Sequence, residues 1–162
     1  MRIEQIELFP LIYPTVGRFK FFESPTGKSV GRPSVLIKIT TDEGVIGWGQ
    51  SVPVPRWSYE TLEGAIAAIE HYLMPVLIGM DPLDLEGIHQ VMNREIANSF
   101  STGAPITKAG IDLALHDLAG KASEQNVRVL WGREGASELT LSWTLNPKTL
   151  DDLEPLIEQG LA

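Results

Sequence analysis

The feature that most limits the possible folds is a long helical segment from Ala104 to Ala122. Its apolar residues recur at the spacing of one helix face, which predicts a buried stripe. The members of that stripe are Ile111, Leu115, Leu118 and Ala122. Asp117 and Lys121 stand four residues apart, as in a favourable helix-surface ion pair. No other segment of the chain is so strongly specified.

Three strands are predicted ahead of this helix: Arg2–Tyr13, Ser34–Thr40 and Val45–Gly49. In the second strand, Val35, Ile37 and Ile39 alternate onto one face. A turn with Gly44 at a position of positive φ joins the second strand to the third. Strands that follow one another in this way predict a three-stranded antiparallel meander.

The meander brings two irregular loops to one edge of the sheet. If the strands run up, down and up, the end of the first and the end of the third lie at the same edge. Residues 14–33 and 50–57 should therefore emerge side by side. Both loops are longer than a connection needs, which is typical of lids and binding loops.

Two helices are predicted between the sheet and the long helix. The first begins with Ser58 as N-cap and ends at Pro75, and the second begins with Asp81 as N-cap and Pro82 in its first turn. Their apolar stripes are Leu62, Ala65, Ile66, Ile69 and Leu73, and then Leu85, Ile88 and Met92.

The last quarter of the chain predicts one βα unit. Residues 123–138 are polar, residues 139–145 alternate as a strand, and a helix begins at Asp151 or Asp152 with Gly160 as its C′ residue. A parallel strand needs neighbours on both sides, so this unit would leave open edges. We therefore predict a domain over residues 1–125 and the start of a second domain over 126–162.

Composition excludes several classes of function. The formal net charge of −8 argues against nucleic acid or an anionic membrane as a partner. No cysteine is present, so no disulfide framework or thiolate chemistry is available. The N-terminal residues are acidic where a secretory signal would be apolar, and no apolar run is long enough to span a membrane. These features predict a cytoplasmic protein.

Three segments give the chain a family resemblance: Lys38–Gln50, with its Asp-Glu-Gly turn and Gly-Trp-Gly strand, Ala109–Ala122, and the strand end Trp143–Thr144. Together they resemble the N-terminal part of the mandelate racemase and muconate-lactonizing branch of the enolase superfamily. The resemblance implies an α+β capping domain followed by the first βα unit of an incomplete TIM-type barrel. It also implies Mg²⁺-assisted proton abstraction α to a carboxylate, by an isomerase more readily than by a lyase.

The same resemblance assigns no catalytic residue and no metal ligand to this chain. The carboxylates that bind Mg²⁺ and the catalytic lysines or histidine of the family stand at the ends of later barrel strands. We therefore expect a truncated chain that is inactive alone and supplies two loops shaping specificity for a small carboxylate substrate. Racemisation, epimerisation, cycloisomerisation and dehydration all remain open as the reaction of the intact enzyme.

Five residues are predicted to contact substrate: Phe19, Phe21, Phe22, Trp57 and Thr144. The three phenylalanines lie in the first loop, where the alternative is that they clamp the loop onto the protein. Trp57 follows the second loop, where the alternative is packing beside a helix. Thr144 ends the predicted barrel strand, where TIM-barrel sites are built. Arg18 and Lys20 could meet a substrate carboxylate, although solvated surface charge is the simpler interpretation.

The histidines are not predicted as metal ligands. His71, His89 and His116 fall on three different helices, and none has a partner at ligand spacing. His116 follows Asp112 by four residues, which predicts a helix-surface pair. Asp112 and Asp117 are accordingly predicted to be structural.

A non-enzymatic alternative remains open at this point. The chain could be an assembly module whose exposed strand edge and apolar residues 139–145 drive self-association, or pairing with a chain that supplies the rest of the barrel. The expected partner is therefore either a second copy of this chain, in a homo-oligomer, or a chain that associates through the exposed partial barrel.

Overall fold

The computed structural model describes residues 1–15, 22–23, 26, 31–133, 135, 138 and 140–161. The strands are β1 (Ile3–Tyr13), β2 (Arg32–Thr41) and β3 (Ile46–Ser51). The helices are α1 (Pro55–Ser58), α2 (Leu62–Ala68), a π-helical turn (Ile69–Leu73), α3 (Met74–Leu77), α4 (Leu85–Glu95), α5 (Pro105–Ala122), α6 (Val127–Leu130), a 3₁₀ turn (Leu150–Asp152) and α7 (Leu153–Leu161).

The sheet is the predicted antiparallel meander, in the order β1-β2-β3. Val35, Ile37 and Ile39 are fully buried on one face of β2, as their alternation predicts. Gly44 adopts a φ of 80° in the turn before β3, and its amide donates to the Thr41 carbonyl at 2.9 Å. The α+β architecture expected from the sequence is therefore confirmed for this part of the chain.

One core lies between the sheet and the helices. It contains Ile69, Leu73 and Leu77 from the helix after β3, Ile88 and Met92 from α4, and Ile111, Ala114, Leu115 and Leu118 from α5. The predicted stripes are confirmed except at Ala122, which is exposed in the last turn of α5. Gly110, Ala114 and Ala119 are also buried, so the buried surface of α5 is wider than the predicted stripe. It is wider because this helix contacts both β2 and β3.

Glycine allows α5 to approach β3 at backbone distance. A Cβ at Gly49 would lie 2.0 Å from the Gly110 carbonyl oxygen, and one at Gly47 would lie 2.1 Å from the Ala114 carbonyl oxygen. A Cβ at Gly110 would lie 2.7 Å from Ile37 Cδ1. Such distances are below any real contact, so only glycine fits at these positions. The Gly-Trp-Gly strand and the Ala-Gly start of the helix signature are thus one packing contact.

Polar side chains of α5 satisfy the free edge of β3. The Trp48 amide donates to Asp117 Oδ2 at 2.8 Å, and Lys121 Nζ donates to the Ile46 carbonyl at 3.0 Å. The predicted pair is also present, with Lys121 Nζ 2.6 Å from Asp117 Oδ2. Because unpaired strand edges promote association, this pair protects the sheet as well as stabilising the helix.

Two predicted helix boundaries are wrong. A separate turn, α1, occupies Pro55–Ser58, and the following helix starts at N-cap Thr61, whose side chain accepts from the Gly64 amide at 3.0 Å. Pro75 does not end that helix, because a π-helical turn precedes it and the chain continues to Leu77. The wider turn leaves room for a proline that cannot donate.

The second helix also starts later than expected. Asp84, not Asp81, is the N-cap of α4, and its carboxylate accepts from the Gly87 amide at 3.0 Å. Asp81 Oδ1 instead accepts from the Leu83 amide at 3.0 Å in the preceding turn. Each aspartate accepts a local bond of the kind that starts a helix. The helix begins at Asp84, in the register that buries Ile88 and Met92.

The predicted strand near the C-terminus is not formed in the described residues 140–147, and Leu139 lies outside them. A strand requires a hydrogen-bonded partner, and the described chain supplies none here. Trp143 instead packs against α7, where its Nε1 donates to the Leu156 carbonyl at 2.9 Å.

Gly160 is also not a C′ residue, because α7 includes it. A Cβ at this position would lie 2.3 Å from Trp143 Cδ1, so glycine admits the indole ring. In the described part of the chain, no helix has the length and apolar character needed to span a bilayer.

Candidate functional site at the loop edge of the sheet

The two loops predicted to emerge together meet at their described residues. We call this edge the rim and define it by Phe22, Glu23 and residues 50–60. Arg56 Nη1 donates to the Glu23 carbonyl oxygen at 2.9 Å and so joins the second loop to the first. Residues that are 33 positions apart in sequence therefore form one edge. Phe19, Phe21, Arg18 and Lys20 lie outside the described residues, so their predicted roles stay predictions.

Phe22 is turned into the protein rather than toward solvent. Its side chain is buried, and the Arg32 guanidinium lies 5.6 Å from the ring centroid. An arginine over a phenylalanine face is an attractive cation–π contact. This arrangement favours the alternative in which the aromatic clamps the loop, and a substrate contact by Phe22 stays a prediction.

Trp57 is presented at the surface by a single helical turn. The amides of Trp57 and Ser58 both donate to the Val54 carbonyl, at 2.8 and 2.7 Å, which fixes α1. Tyr59 then reverses the chain with a φ of 51°, a left-handed conformation that is costly for a tyrosine. The indole of Trp57 is 66% exposed. A substrate contact by this exposed ring stays a prediction.

Glu60 attaches the rim to the start of α5. Its Oε1 accepts from the Ile106 amide at 2.8 Å, and its Oε2 accepts from the Thr107 amide at 2.8 Å and the Thr107 hydroxyl at 2.6 Å. The N-cap position of α5 is Ala104, which has no side-chain acceptor. A glutamate 46 residues upstream therefore supplies the cap, and no local sequence signal could have revealed it.

A chain of hydrogen bonds makes the base of the second loop rigid. Gln50 Nε2 donates to Ser34 Oγ at 2.6 Å, and Ser34 Oγ donates to the Ser51 carbonyl at 3.2 Å. Ser51 Oγ in turn donates to the Ile106 carbonyl at 2.9 Å. Ser34 and Ser51 are fully or almost fully buried, so these bonds also satisfy groups that would otherwise be costly to bury.

Lys108 is a buried cation below the rim, and its contacts are structural. Its Nζ donates to Asn93 Oδ1 at 2.9 Å and to the Ile96 carbonyl at 2.6 Å, which ties α5 to the end of α4. Burial lowers the pKa of the Lys108 ammonium, while the nearby Glu60 carboxylate opposes that shift. Because both acceptors belong to the protein, we assign the lysine to anchoring rather than to substrate binding.

Thr144 is not brought to the rim by any contact among the described residues. It is exposed in the segment before α7, next to the Trp143 that packs on Gly160. The structure therefore joins Phe22 and the loop of Trp57, and leaves Thr144 apart from them. Its predicted role in substrate binding is untested.

Two of the three histidines share one carboxylate. His116 Nδ1 lies 2.9 Å from the Asp112 carbonyl oxygen and 3.4 Å from Oδ2, as the four-residue spacing predicts. His89, on α4, lies 2.7 Å from Asp112 Oδ1, a partner that the sequence spacing did not reveal. The carboxylate thus links two helices.

This cluster is a poor fit for Mg²⁺. Among the described residues, no group of three acidic, histidine or cysteine side chains could hold a metal ion. Mg²⁺ prefers several oxygen ligands in octahedral geometry, whereas Asp112 offers one carboxylate already bonded to imidazoles. The described residues therefore give no magnesium centre.

Known proteins match both the sequence and the fold. N-succinyl-L-Arg/Lys racemase from Bacillus cereus is 33% identical over 160 residues, which cover 99% of this chain and 40% of that protein. Its crystal structure superposes with a TM-score of 0.86. A chloromuconate cycloisomerase from Cupriavidus pinatubonensis is 33% identical over 80% of this chain and 35% of its own length.

A dipeptide epimerase from Enterococcus faecalis V583, solved with Mg and the dipeptide L-Leu-L-Tyr, matches with a TM-score of 0.64 and 30% identity. That match covers 80% of this chain and 34% of the epimerase. The relatives are a racemase, a cycloisomerase and an epimerase, which are all isomerases. The chain spans about 40% of the length of the first relative.

The profile of the family described as mandelate racemase / muconate lactonizing enzyme, N-terminal domain, matches residues 24–132. That range includes β2, β3 and α5, which pack closely together at Gly47, Gly49 and Gly110. It also includes the second loop of the rim. The chain belongs to the mandelate racemase and muconate-lactonizing enzyme family of the enolase superfamily.

Proposed function

We propose that this chain is the capping part of an enolase-superfamily isomerase and that its rim loops select a small carboxylate substrate. The intact enzyme would be a racemase, an epimerase or a cycloisomerase. Its reaction would involve proton transfer at the carbon α to the carboxylate. The observation that carries the proposal is the joined rim, in which Arg56 holds the two loops together beside the exposed Trp57.

The residues of this chain support binding and enclosure rather than proton transfer. Glu60 and the Gln50–Ser34–Ser51 bonds hold the loop base, so the exposed indole of Trp57 stands on a fixed support. Phe19, Phe21, Phe22, Trp57 and Thr144 remain our proposed substrate contacts. Closure of such loops excludes water from a reacting carboxylate and strengthens its electrostatic contacts.

Mg²⁺ is the proposed cofactor of the intact enzyme, by family membership. A solved relative from Enterococcus faecalis contains Mg, which supports the assignment. Bound metal in such an enzyme stabilises negative charge that develops on the substrate carboxylate. The described residues do not fit the ion, so we assign no ligand and no catalytic step to this chain.

We further propose a boundary between residues 1–125, the cap, and residues 126–162, a linker followed by the segment that would form the first βα unit of the barrel in the intact enzyme. The dense core of the first part and the exposed apolar residues of the second support this division. A cytoplasmic location, without nucleic acid or membrane as a partner, is supported by the acidic composition and the absence of cysteine.

A chimera tests the proposed function. The matching 40% of the Bacillus cereus N-succinyl-L-Arg/Lys racemase would be replaced by this chain. With Mg²⁺ in D₂O, we expect NMR to detect α-proton exchange on N-succinyl amino acids or hydrophobic dipeptides, with a substrate preference different from that of the parent racemase. The isolated chain should show none.

Two outcomes would contradict the proposal. A folded chimera that retains the parent's preference would show that these loops do not select the substrate. Robust exchange by the isolated chain would show that the catalytic groups are present here. Trp57→Ala in the chimera should raise KM with little change in kcat, because the residue is proposed to bind and not to react.

A non-catalytic assembly module is the second candidate. Leu141 is 88% exposed and Trp143 is 54% exposed, so two large apolar side chains close together in sequence lie at the surface, and contiguous exposed apolar patches mark interaction sites. Self-association, or pairing with a chain that completes the barrel, would cover them. Sedimentation velocity of the pure chain should then show a dimer or larger species, and a stable monomer across micromolar concentrations would contradict self-association.

A further inference from the structure

A third loop contacts the rim in addition to the two expected from the sequence. Residues 96–104 connect α4 to α5. The Thr102 hydroxyl forms a hydrogen bond with the Tyr59 hydroxyl, so this connection touches the second loop directly after α1. One residue further along, Glu60 accepts from the first amides of α5. Tyr59 therefore contacts the third loop, and the adjacent Glu60 contacts the start of α5.

The backbone is strained at Tyr59 and at Ala104, two residues after Thr102. Tyr59 has a φ of 51° and Ala104 has a φ of 54°, and both are among the three left-handed non-glycine residues of the described chain. Such conformations are costly for residues with a Cβ and persist where surrounding contacts enforce them. Here the contacts are the Tyr59–Thr102 bond and the Glu60 cap, so the strain lies where the two loops are joined.

The third loop presents an uncharged surface with one free aromatic ring. Residues 96–104 contain no acidic or basic side chain, in a chain with a formal net charge of −8. The Phe100 side chain is fully exposed. An uncharged, partly apolar surface next to Tyr59 does not repel an anion, which suits the apolar part of a small carboxylate.

We propose that residues 96–104 form a third loop of the rim and that this loop moves with the second loop as one unit. Tyr59 and Thr102 are positioning residues that hold the two loops together. Phe100 is the exposed aromatic side chain of this unit. The relevance of the coupling to a substrate rests on the proposed function, whereas the coupling itself is a property of this chain alone.

Amide hydrogen exchange of the 162-residue chain tests the coupling. Thr102→Val removes the hydroxyl and keeps the shape of the side chain. We expect the Trp57 and Ser58 amides, which belong to the other loop, to exchange roughly fivefold faster, the factor of one neutral hydrogen bond. Tyr59→Phe should give the same increase. The double variant should exchange no faster than either single variant, because both changes break one bond.

The controls separate coupling from general loosening. Thr149→Val removes a hydroxyl from the capping box of the 3₁₀ turn Leu150–Asp152, whose described hydrogen bonds are local, and should leave the Trp57 and Ser58 amides unchanged. Phe100→Ala should also leave them unchanged, since its ring is fully exposed. Both Tyr59 and Thr102 are exposed, so a far-UV CD melt should show that the variants fold.

Three results would overturn the inference. Faster exchange confined to residues 98–103 in Thr102→Val would mean that the loops move separately. Additive effects in the double variant would mean that the two hydroxyls act independently. Loss of stability in Phe100→Ala would mean that the ring packs inside the protein. None of these results depends on turnover, so a failed chimera and a failed coupling are distinguishable.

Discussion

The contact between α5 and β3 and the segment from residue 126 to 161 represent two extremes of the same chain. In the first, backbones meet at glycine distance, and the exposed edge of β3 is bonded to Asp117 and Lys121. In the second, large apolar side chains remain exposed and one tryptophan holds the segment to its helix. The difference teaches that the family signature encodes a packed interface, whereas the last segment contacts α5 at its start, where Trp131 packs edge-on against His116, and is held by local bonds near α7.

The same substitution in the two regions gives the largest expected difference. Leu115→Ala removes a fully buried side chain from the core and should lower the free energy of unfolding by about 3 kcal/mol. Leu141→Ala changes a side chain that is 88% exposed and should cost less than about 0.5 kcal/mol. Urea unfolding followed by far-UV CD measures both. Equal losses would show that residues 126–161 belong to the core.

Gly49→Ala tests the close approach of α5 and β3. The new Cβ would meet the Gly110 carbonyl, so the helix must shift, and we expect a loss of about 2–3 kcal/mol. Gly132→Ala is the matched control, since Gly132 has a φ of 62° and a Cβ added there would have no atom within 4 Å. Its cost should be about 1 kcal/mol, from backbone strain alone. A Gly49 variant as stable as the control would disprove the contact.

Glu60→Ala removes the cap that joins the rim to α5. Three donors lose their acceptor, and the first turn of α5 should fray at a cost of about 1–2 kcal/mol. Faster exchange of the Ile106 and Thr107 amides is the direct readout. Glu63→Ala, at an exposed position on α2, is the control and should leave those amides unchanged. Protected amides in the Glu60 variant would show that another group caps the helix.

Lowering the pH should weaken the Thr149–Asp152 hydrogen bond near the C-terminus, and the effect should be small and local. The Thr149 amide donates to Asp152, and this bond lowers the pKa of the Asp152 carboxyl below its ordinary value. A depressed carboxyl pKa adds stability above the pKa of the unfolded chain, and the contribution is lost as pH falls through the lower folded value. We therefore expect the Thr149 amide resonance to move below about pH 4. Asp151→Asn should not alter this titration, whereas Asp152→Asn should abolish it.

The sequence predicts those elements whose signal is local. Alternation in β2, the Gly44 turn and the stripe of α5 each depend on neighbouring residues, and the structure confirms them. Helix starts were predicted less well, since Asp81 before Pro82 carries an N-cap signal but Asp84 caps α4. The register of buried residues decides between them, and that register is a property of the whole core. The strand at 139–145 failed for a related reason, because alternation does not supply a hydrogen-bonding partner.

In the candidate site, too, some features are predictable from the sequence and others are not. The meander topology predicts that two loops share an edge, and the Arg56–Glu23 bond agrees with it. Phe22 was indistinguishable from its neighbouring phenylalanines in sequence, and only burial under Arg32 separates a clamp from an exposed ring. The Glu60 cap and the Tyr59–Thr102 bond link residues more than 40 positions apart, so no spacing rule could reveal them.

By itself, the sequence determined the meander, the long helix, the family and the side of the sheet on which the loops emerge. Those features follow from periodicity and from glycine at defined positions, which act over a few residues. Only the tertiary structure decided which side chains support the rim, which helix ends are capped from afar and which phenylalanine of the first loop is buried. Each of these depends on two distant segments meeting, and a contact of that kind has no trace in either segment alone.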